Sequence, residues 1–215
     1  LQNRTSEQED EKMINDAFQK LLDSYLASKH RKKVEIITKA FNFAKQAHKG
    51  VRRRSGEPYI MHPLAVAQIV CQEIGLGSTS ICSALLHDVV EDTDYNIDWV
   101  KDEFGDDVAS LVDSLTKIVD IRKEEFPSDT NEKLVASALS FRKMLLASIK
   151  DIRALVIKIS DRLHNMLTLD VLPEQKQRRI AEETLVVYAP IAHRLGISSI
   201  KNELEDRSFY YIFRD

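Results

Sequence analysis

Glycine and proline are scarce in this sequence: six and five among 215 residues. Both punctuate turns, so their scarcity argues against a turn-rich all-β sandwich and for long helices with few breaks. Cysteine occurs only twice. Cys71 and Cys82 lie in apolar surroundings without metal-ligand spacing, which fits buried thiols in a reducing compartment better than a disulfide. No window approaches the roughly eighteen apolar residues of a membrane-spanning helix. The N-terminal LQNRTSEQEDEK is polar and lacks the apolar stretch of a signal peptide. These absences point to a cytoplasmic location. An excess of one charge is missing too. The 31 basic and 34 acidic residues leave a net charge of −3, so the whole-chain balance gives no hint of a polyanionic partner. What is present, 43% hydrophobic and 30% charged residues, suffices for a core and excludes a wholly disordered chain.

Hydrophobic periodicity predicts an all-α domain of about eight to ten helices. Residues 1–10 read as a flexible polar tail ahead of a domain over 11–215. Met13, Ile14, Phe18, Leu21, Leu22 and Tyr25 recur at helical spacing over 11–30. Val34, Ile37, Phe41 and Ala44 do so over 32–48, with Gly50 as the stop. Residues 51–63 form a loop, and a helix follows at 64–74. Ser78 or Thr79 caps the next helix, to about Val90, and 91–98 is an acidic loop. Further helices are expected near 98–104, 106–123, 131–149, 151–169, 174–187 and 189–213, with a flexible connection at 122–130. The best strand candidate, LVIKI at 155–159, sits inside a helical period.

The chemistry centres on His87 and Asp88 in SALLHDVVED. An imidazole and a carboxylate near the end of an apolar helix need partners, because desolvating an unpaired carboxylate is costly. His62, before Pro63, and Asp161, after the apolar LVIKIS, occur in similar settings. Two imidazoles and two carboxylates suit Mn²⁺, Fe²⁺, Zn²⁺ or Ni²⁺; helix caps and buried ion pairs are the alternative. Glu91 and Asp92 follow His87 and Asp88 by one helical turn and share their face. They serve either as carboxylates at the rim of a metal site or as a solvated acidic helix end. Asp92, Asp94, Asn96 and Glu103 mimic an EF-hand loop, but Ile97 stands where the sharp turn needs glycine, which argues against calcium. Asp161, Asn165 and Thr168 fall on one helix face, either a ligand with two hydrogen-bonding neighbours or a polar surface. Lys45, Lys49, Arg52, Arg53 and Arg54 form a local basic segment, which reads as a phosphate-binding stretch or a solvated patch.

RRRSGEPYIMHP, ALLHDVVEDT and KISDRLHNM, continued by YAPIAHRLGISSIKNELED, resemble the HD-type hydrolase domain of the RelA/SpoT homologue family over about residues 32–213. The resemblance implies an HD-type helical bundle with Mn²⁺ as cofactor. It would remove the 3′-pyrophosphate of the guanosine alarmones ppGpp and pppGpp, giving GDP or GTP and pyrophosphate, in the stringent response. It implies His62, His87, Asp88 and Asp161 as metal ligands and Glu91 with Asp92 as the catalytic pair. Arg53 would stack on guanine, and Arg54, Ser55, Asn165 and Thr168 would contact the nucleotide. It also implies downstream synthetase and regulatory domains in a longer bacterial protein, with neither membrane nor direct nucleic-acid binding by this part. Two departures stand out: Leu167 replaces a usual arginine, and Arg54 stands where many members carry lysine. An HD-type phosphohydrolase for another nucleotide and a non-catalytic alarmone-binding module are the competing readings.

Overall fold

The computed structural model describes residues 6–124 and 131–213, with side chains 120–134 outside the description. Of the expected connection at 122–130, residues 122–124 are the last helical residues of α6 (Asp106–Glu124), and 125–130 lie outside the described residues, as does the first half of the expected tail. The chain divides into two compact units, Leu1–Thr116 and Lys117–Asp215.

In the first unit, α1 (Glu7–Leu26) starts inside the stretch read as a tail, because Ser6 caps it: its Oγ accepts from the Glu9 N–H at 3.2 Å. Glu7, Glu9 and Asp10 then suit the positive end of the helix dipole. Its buried stripe of Ile14, Phe18, Leu21 and Tyr25 has the expected spacing, and Phe18 stacks on Phe41 of α2 (Val34–Ala47) at 3.9 Å between centroids. Helix α3 (Met61–Gln68) carries Pro63 in its first turn, where an N–H has no helical acceptor. It continues as a π-helical turn over Ile69–Ile74 and stops at Gly75 with φ of 85°.

Helix α4 (Ser78–Asp92) packs against α2 and α3, and all ten residues from Ser80 to Val89 are buried. A helix buried all round follows from a sequence with no charged residue between Ser78 and His87. Its start differs from expectation: Gly77 is the N-cap residue, and no side chain caps the helix. Its end differs too, since Glu91 and Asp92 are helical and not part of a loop. Asn96 caps α5 (Ile97–Phe104) by accepting from the Trp99 N–H at 3.0 Å, and α6 spans Asp106–Glu124.

In the second unit, α7 (Asn131–Ser148) and α8 (Ile152–Leu167) precede a short 3₁₀ turn at Leu169–Val171. LVIKI lies wholly inside α8, and among the described residues the β-structure is a single isolated bridge between Arg52 and Pro58. Helix α9 (Glu174–Glu183) runs through a π-helical turn (Thr184–Tyr188) into α10 (Ala189–Arg194) without the break expected near residue 188. The break falls later. The Ile197 N–H donates to the Ala192 carbonyl at 3.0 Å and the Gly196 N–H to the His193 carbonyl at 3.1 Å, around Gly196 with φ of 77°. That Schellman closure separates α11 (Ser198–Phe213) from α10.

The π-helical turn has a cause. Pro190 has no N–H to give the carbonyl four residues before it, that of Val186. Arg142 of α7 donates to that carbonyl instead, at 3.0 Å. Arg142→Ala is expected to lower the stability of the chain by about 1–2 kcal/mol, seen as an earlier midpoint in urea unfolding. Adding Pro190→Ala should recover part of the loss by restoring a backbone donor. An unshifted midpoint in Arg142→Ala would contradict this origin of the turn.

Candidate functional site

The buried helix α4 brings His87 and Asp88 to the interior, 5% and 6% exposed. The His87 Nδ1 lies 2.9 Å from the Ala84 carbonyl, which only accepts, so Nδ1 carries the proton of that hydrogen bond. The other nitrogen, Nε2, faces the Asp88 Oδ1 at 3.1 Å. In a neutral imidazole held in this tautomer, Nε2 presents a lone pair to a carboxylate oxygen. A proton or a metal cation between them removes that repulsion. Locking the remote nitrogen to a backbone carbonyl is also how metal-ligating histidines are commonly oriented.

The segment between α2 and α3 folds back on itself as a small hairpin. The Arg53 N–H donates to the Glu57 carbonyl at 3.0 Å, and the Tyr59 N–H to the Val51 carbonyl at 2.8 Å. The His62 N–H donates to the Tyr59 carbonyl at 2.9 Å, so the hairpin leads directly into α3 and buries His62 to 4% exposure. Tyr59 reaches the α4 pair: its Oη donates to the Asp88 Oδ2 at 2.9 Å. Its ring lies 4.8 Å from that of His48 and 6.1 Å from that of His62. The first unit therefore gathers His48, Tyr59, His62, His87 and Asp88. Among the described residues, no three His, Cys, Asp or Glu side chains converge as a metal site; the drawn-together donors are His87 and Asp88.

Tyr59 and His48 had no role in the sequence reading. Tyr59 stands inside a quoted motif but is an ordinary aromatic by residue type, and nothing local says its hydroxyl meets a residue 29 positions away. His48 is buried, with no hydrogen-bond partner for Nε2, and burial lowers its pKa against the opposing pull of Asp88 and Asp92.

The basic segment is less available than its composition suggests. Lys45 pairs with Glu11 and Arg52 with Asp10, so α1 neutralises two of its charges. Lys45, Lys49 and Arg52 line a cleft of about 830 Å³ together with Glu7, Asp10 and Glu11, which leaves that cleft electrically balanced. Arg52 also donates to the Gly56 carbonyl at 2.7 Å and braces the hairpin. Arg53 pairs with Glu57 at 3.0 Å, Ser55 donates to the same carboxylate oxygen at 3.2 Å, and Arg54 is exposed.

Glu91 and Asp92 are exposed at the last turn of α4. The Asp92 pKa is raised, first by partial desolvation and then by the like charge of Asp88, with His48 and His87 opposing. A carboxylate so placed is a stronger proton acceptor than an ordinary one. Of the EF-hand mimics, Asn96 is spent on capping α5, and Glu103 pairs with Lys39 at 2.9 Å.

In the second unit, α8 buries Asp161 to 5% exposure, with Lys158 at 3.2 Å. Burial opposes the charge of Lys158 most strongly, yet Asp161 and Tyr188 together hold its pKa above the ordinary lysine value. One turn on, Arg162 pairs with Glu183 at 2.8 Å, donates to Thr184 Oγ1 at 3.2 Å and lies over the Tyr188 ring at 4.6 Å. An ion pair, one of the two alternatives for a buried carboxylate, is thus present at Asp161. Asn165 is half-buried on the following turn, Thr168 is the C-cap residue just past the helix, and Leu167 is 44% exposed.

The family described as "HD domain" matches residues 40–198. The chain belongs to the HD-domain family. The resemblance to RelA/SpoT homologues also holds. The chain is 51% identical over 166 residues, 77% of its length, to a Haemophilus influenzae protein named guanosine-3′,5′-bis(diphosphate) 3′-pyrophosphohydrolase. It is 49% identical over 180 residues, 84% of its length, to a Synechocystis protein bearing the same name as a probable assignment. Identity is 49% over 82% of the chain to a Mycobacterium leprae protein named probable GTP pyrophosphokinase. The chain spans 21–23% of the length of these three curated relatives. A solved structure described as a metazoan orthologue of SpoT that hydrolyses ppGpp has the same fold, with a TM-score of 0.60 at 23% identity, covering 81% of this chain and 94% of that one. The HD-type bundle expected from the motifs is therefore the fold of this chain.

The donor set of this HD domain, imidazole nitrogen beside carboxylate oxygen on one buried helix, fits a divalent cation. The interior of α4 also holds Cys82, fully buried, whose thiol is pushed up to about 12 by burial, against a weaker opposing pull from Lys33. Cys71 is raised by burial as well. Both thiols should react negligibly with a disulfide reagent at pH 8 in the folded chain and react fully in urea. Between the ordinary thiol value and its raised folded value, Cys82 releases its proton only on unfolding, so it weakens the fold as pH rises past the ordinary thiol value. Rapid labelling of Cys82 in the folded chain at pH 8 would contradict the burial of α4.

Proposed function

We propose that this HD domain hydrolyses the 3′-pyrophosphate of ppGpp and pppGpp, giving GDP or GTP and pyrophosphate, as a cytoplasmic step of the stringent response. The observation that carries the reading is the buried His87–Asp88 pair, with Nδ1 locked to a carbonyl and Nε2 turned to Oδ1. The names of the relatives support the substrate class. His62, His87 and Asp88 would hold Mn²⁺, with Asp161 as the fourth ligand carried over from the family motif. The cation supplies Lewis-acid polarisation of the phosphate and offsets its charge.

The chain's own residues do the rest. Asp92, with its raised pKa, takes the proton of the attacking water, and Glu91 orients that water. The water oxygen bonds to the phosphorus carried by the ribose 3′ oxygen. The bond from that phosphorus to the 3′ oxygen breaks, and the 3′ oxygen takes a proton from solvent. Arg53, steadied by its ion pair with Glu57, would stack on the guanine base. Arg54 and Ser55 meet phosphate or ribose on the same hairpin, and Asn165 and Thr168 contribute further nucleotide contacts.

Pyrophosphate release from ppGpp by the chelator-stripped chain should require added Mn²⁺. Asp92→Asn should lower kcat by about 10²–10⁴-fold. Asp88→Ala and Asp161→Ala should abolish turnover while leaving helical circular dichroism intact. Full activity in either folded alanine variant would overturn the ligand assignment for that residue. Equal turnover of cyclic nucleotides or deoxynucleoside triphosphates would favour a different substrate, and alarmone binding without turnover would favour a regulatory module.

A further inference from the structure

The hairpin and the α4 pair meet through one side chain, which no motif assigns. Asp88 has two carboxylate oxygens facing different ways. Oδ1 lies 3.1 Å from the His87 Nε2, and Oδ2 accepts from the Tyr59 hydroxyl at 2.9 Å. A carboxylate held at one oxygen cannot turn about its terminal bond without breaking that hydrogen bond, so Tyr59 fixes which oxygen stands beside the imidazole. Tyr59 is itself over-determined. Its backbone N–H closes the hairpin onto Val51, and its carbonyl accepts from the His62 N–H. Its ring packs between those of His48 and His62. The same residue that starts the helix bearing His62 therefore orients the carboxylate of Asp88. It lies four residues beyond Ser55, at the base of the hairpin that carries Arg53 and Arg54.

We propose that Tyr59 is a positioning residue of the metal site. Its hydroxyl holds Asp88 with Oδ1 beside His87 and ties the nucleotide-bearing hairpin to the ligand helix α4. This rests on the proposed metal-dependent hydrolysis. Tyr59 touches a ligand and not the reacting atoms, so its loss acts on cation affinity and on kcat, with little effect on KM. Groups that orient metal ligands typically contribute about 10–100-fold in metal affinity or activity.

The test is Tyr59→Phe, which keeps the ring packing against His48 and His62 and removes only the hydroxyl. Mn²⁺ titration of the stripped chain, followed by the electron paramagnetic resonance of free Mn²⁺, gives the Kd without any turnover. Steady-state kinetics on ppGpp at saturating Mn²⁺ give kcat and KM. The expected result is a Kd weakened about 10–100-fold and a lowered kcat, with KM within about twofold of the unaltered chain. A Kd within twofold of the unaltered value overturns the positioning role. So does a change confined to KM, which would make Tyr59 a nucleotide contact. The unaltered chain separates the two levels of the argument: if it binds no Mn²⁺, the metal-dependent reading and the role of Tyr59 fall together, whereas normal binding with an indifferent Tyr59→Phe removes Tyr59 alone.

Discussion

A carboxylate buried against an imidazole is the constraint from which the first unit is best understood. Asp88 sits at 6% exposure on a helix whose inner ten residues are all buried, and an uncompensated charge there would cost several kcal/mol. Tyr59 contributes a hydrogen bond and His87 a nitrogen, but neither brings a fixed positive charge. In the proposed reading, a divalent cation would meet both the carboxylate and the lone pair turned towards it. The hairpin leads into an early start of α3 at Met61, and His62 is buried in its first turn.

The second unit meets the same constraint differently. Asp161 is as buried as Asp88, and it has a lysine at hydrogen-bond distance. Arg162, one residue on, is compensated by Glu183 and by the face of Tyr188. On α8, Lys158 is thus met by Asp161 of the same helix and Arg162 by Glu183 of α9. The leucine at 167, a departure from the family pattern, is exposed at the helix end.

Much of this was legible in the sequence, and the gaps have physical causes. The helical class follows from few glycines and prolines and from stripes such as Ile14, Phe18, Leu21 and Tyr25. His87 and Asp88 announce themselves as polar residues ending an apolar run. The roles of arginines did not follow from composition: Arg52 and Arg53 belong to a basic segment, yet distant Asp10 and nearby Glu57 pair with them. The expected break between 187 and 189 is absent because the chain passes it in a π-helical turn, beside which Arg142 of a distant helix donates to the Val186 carbonyl. Tyr59 was missed because its hydroxyl gains meaning from a helix that begins nineteen residues later, at Ser78.

The central claim is that His87 and Asp88 form a cation site, and Mn²⁺ binding tests it without reference to any substrate. Equilibrium titration of the chelator-stripped chain, read by electron paramagnetic resonance, should show saturable binding of one Mn²⁺ per chain. His87→Ala and Asp88→Ala should each abolish it, with helical circular dichroism retained. Saturable binding that survives in both folded variants would contradict the account.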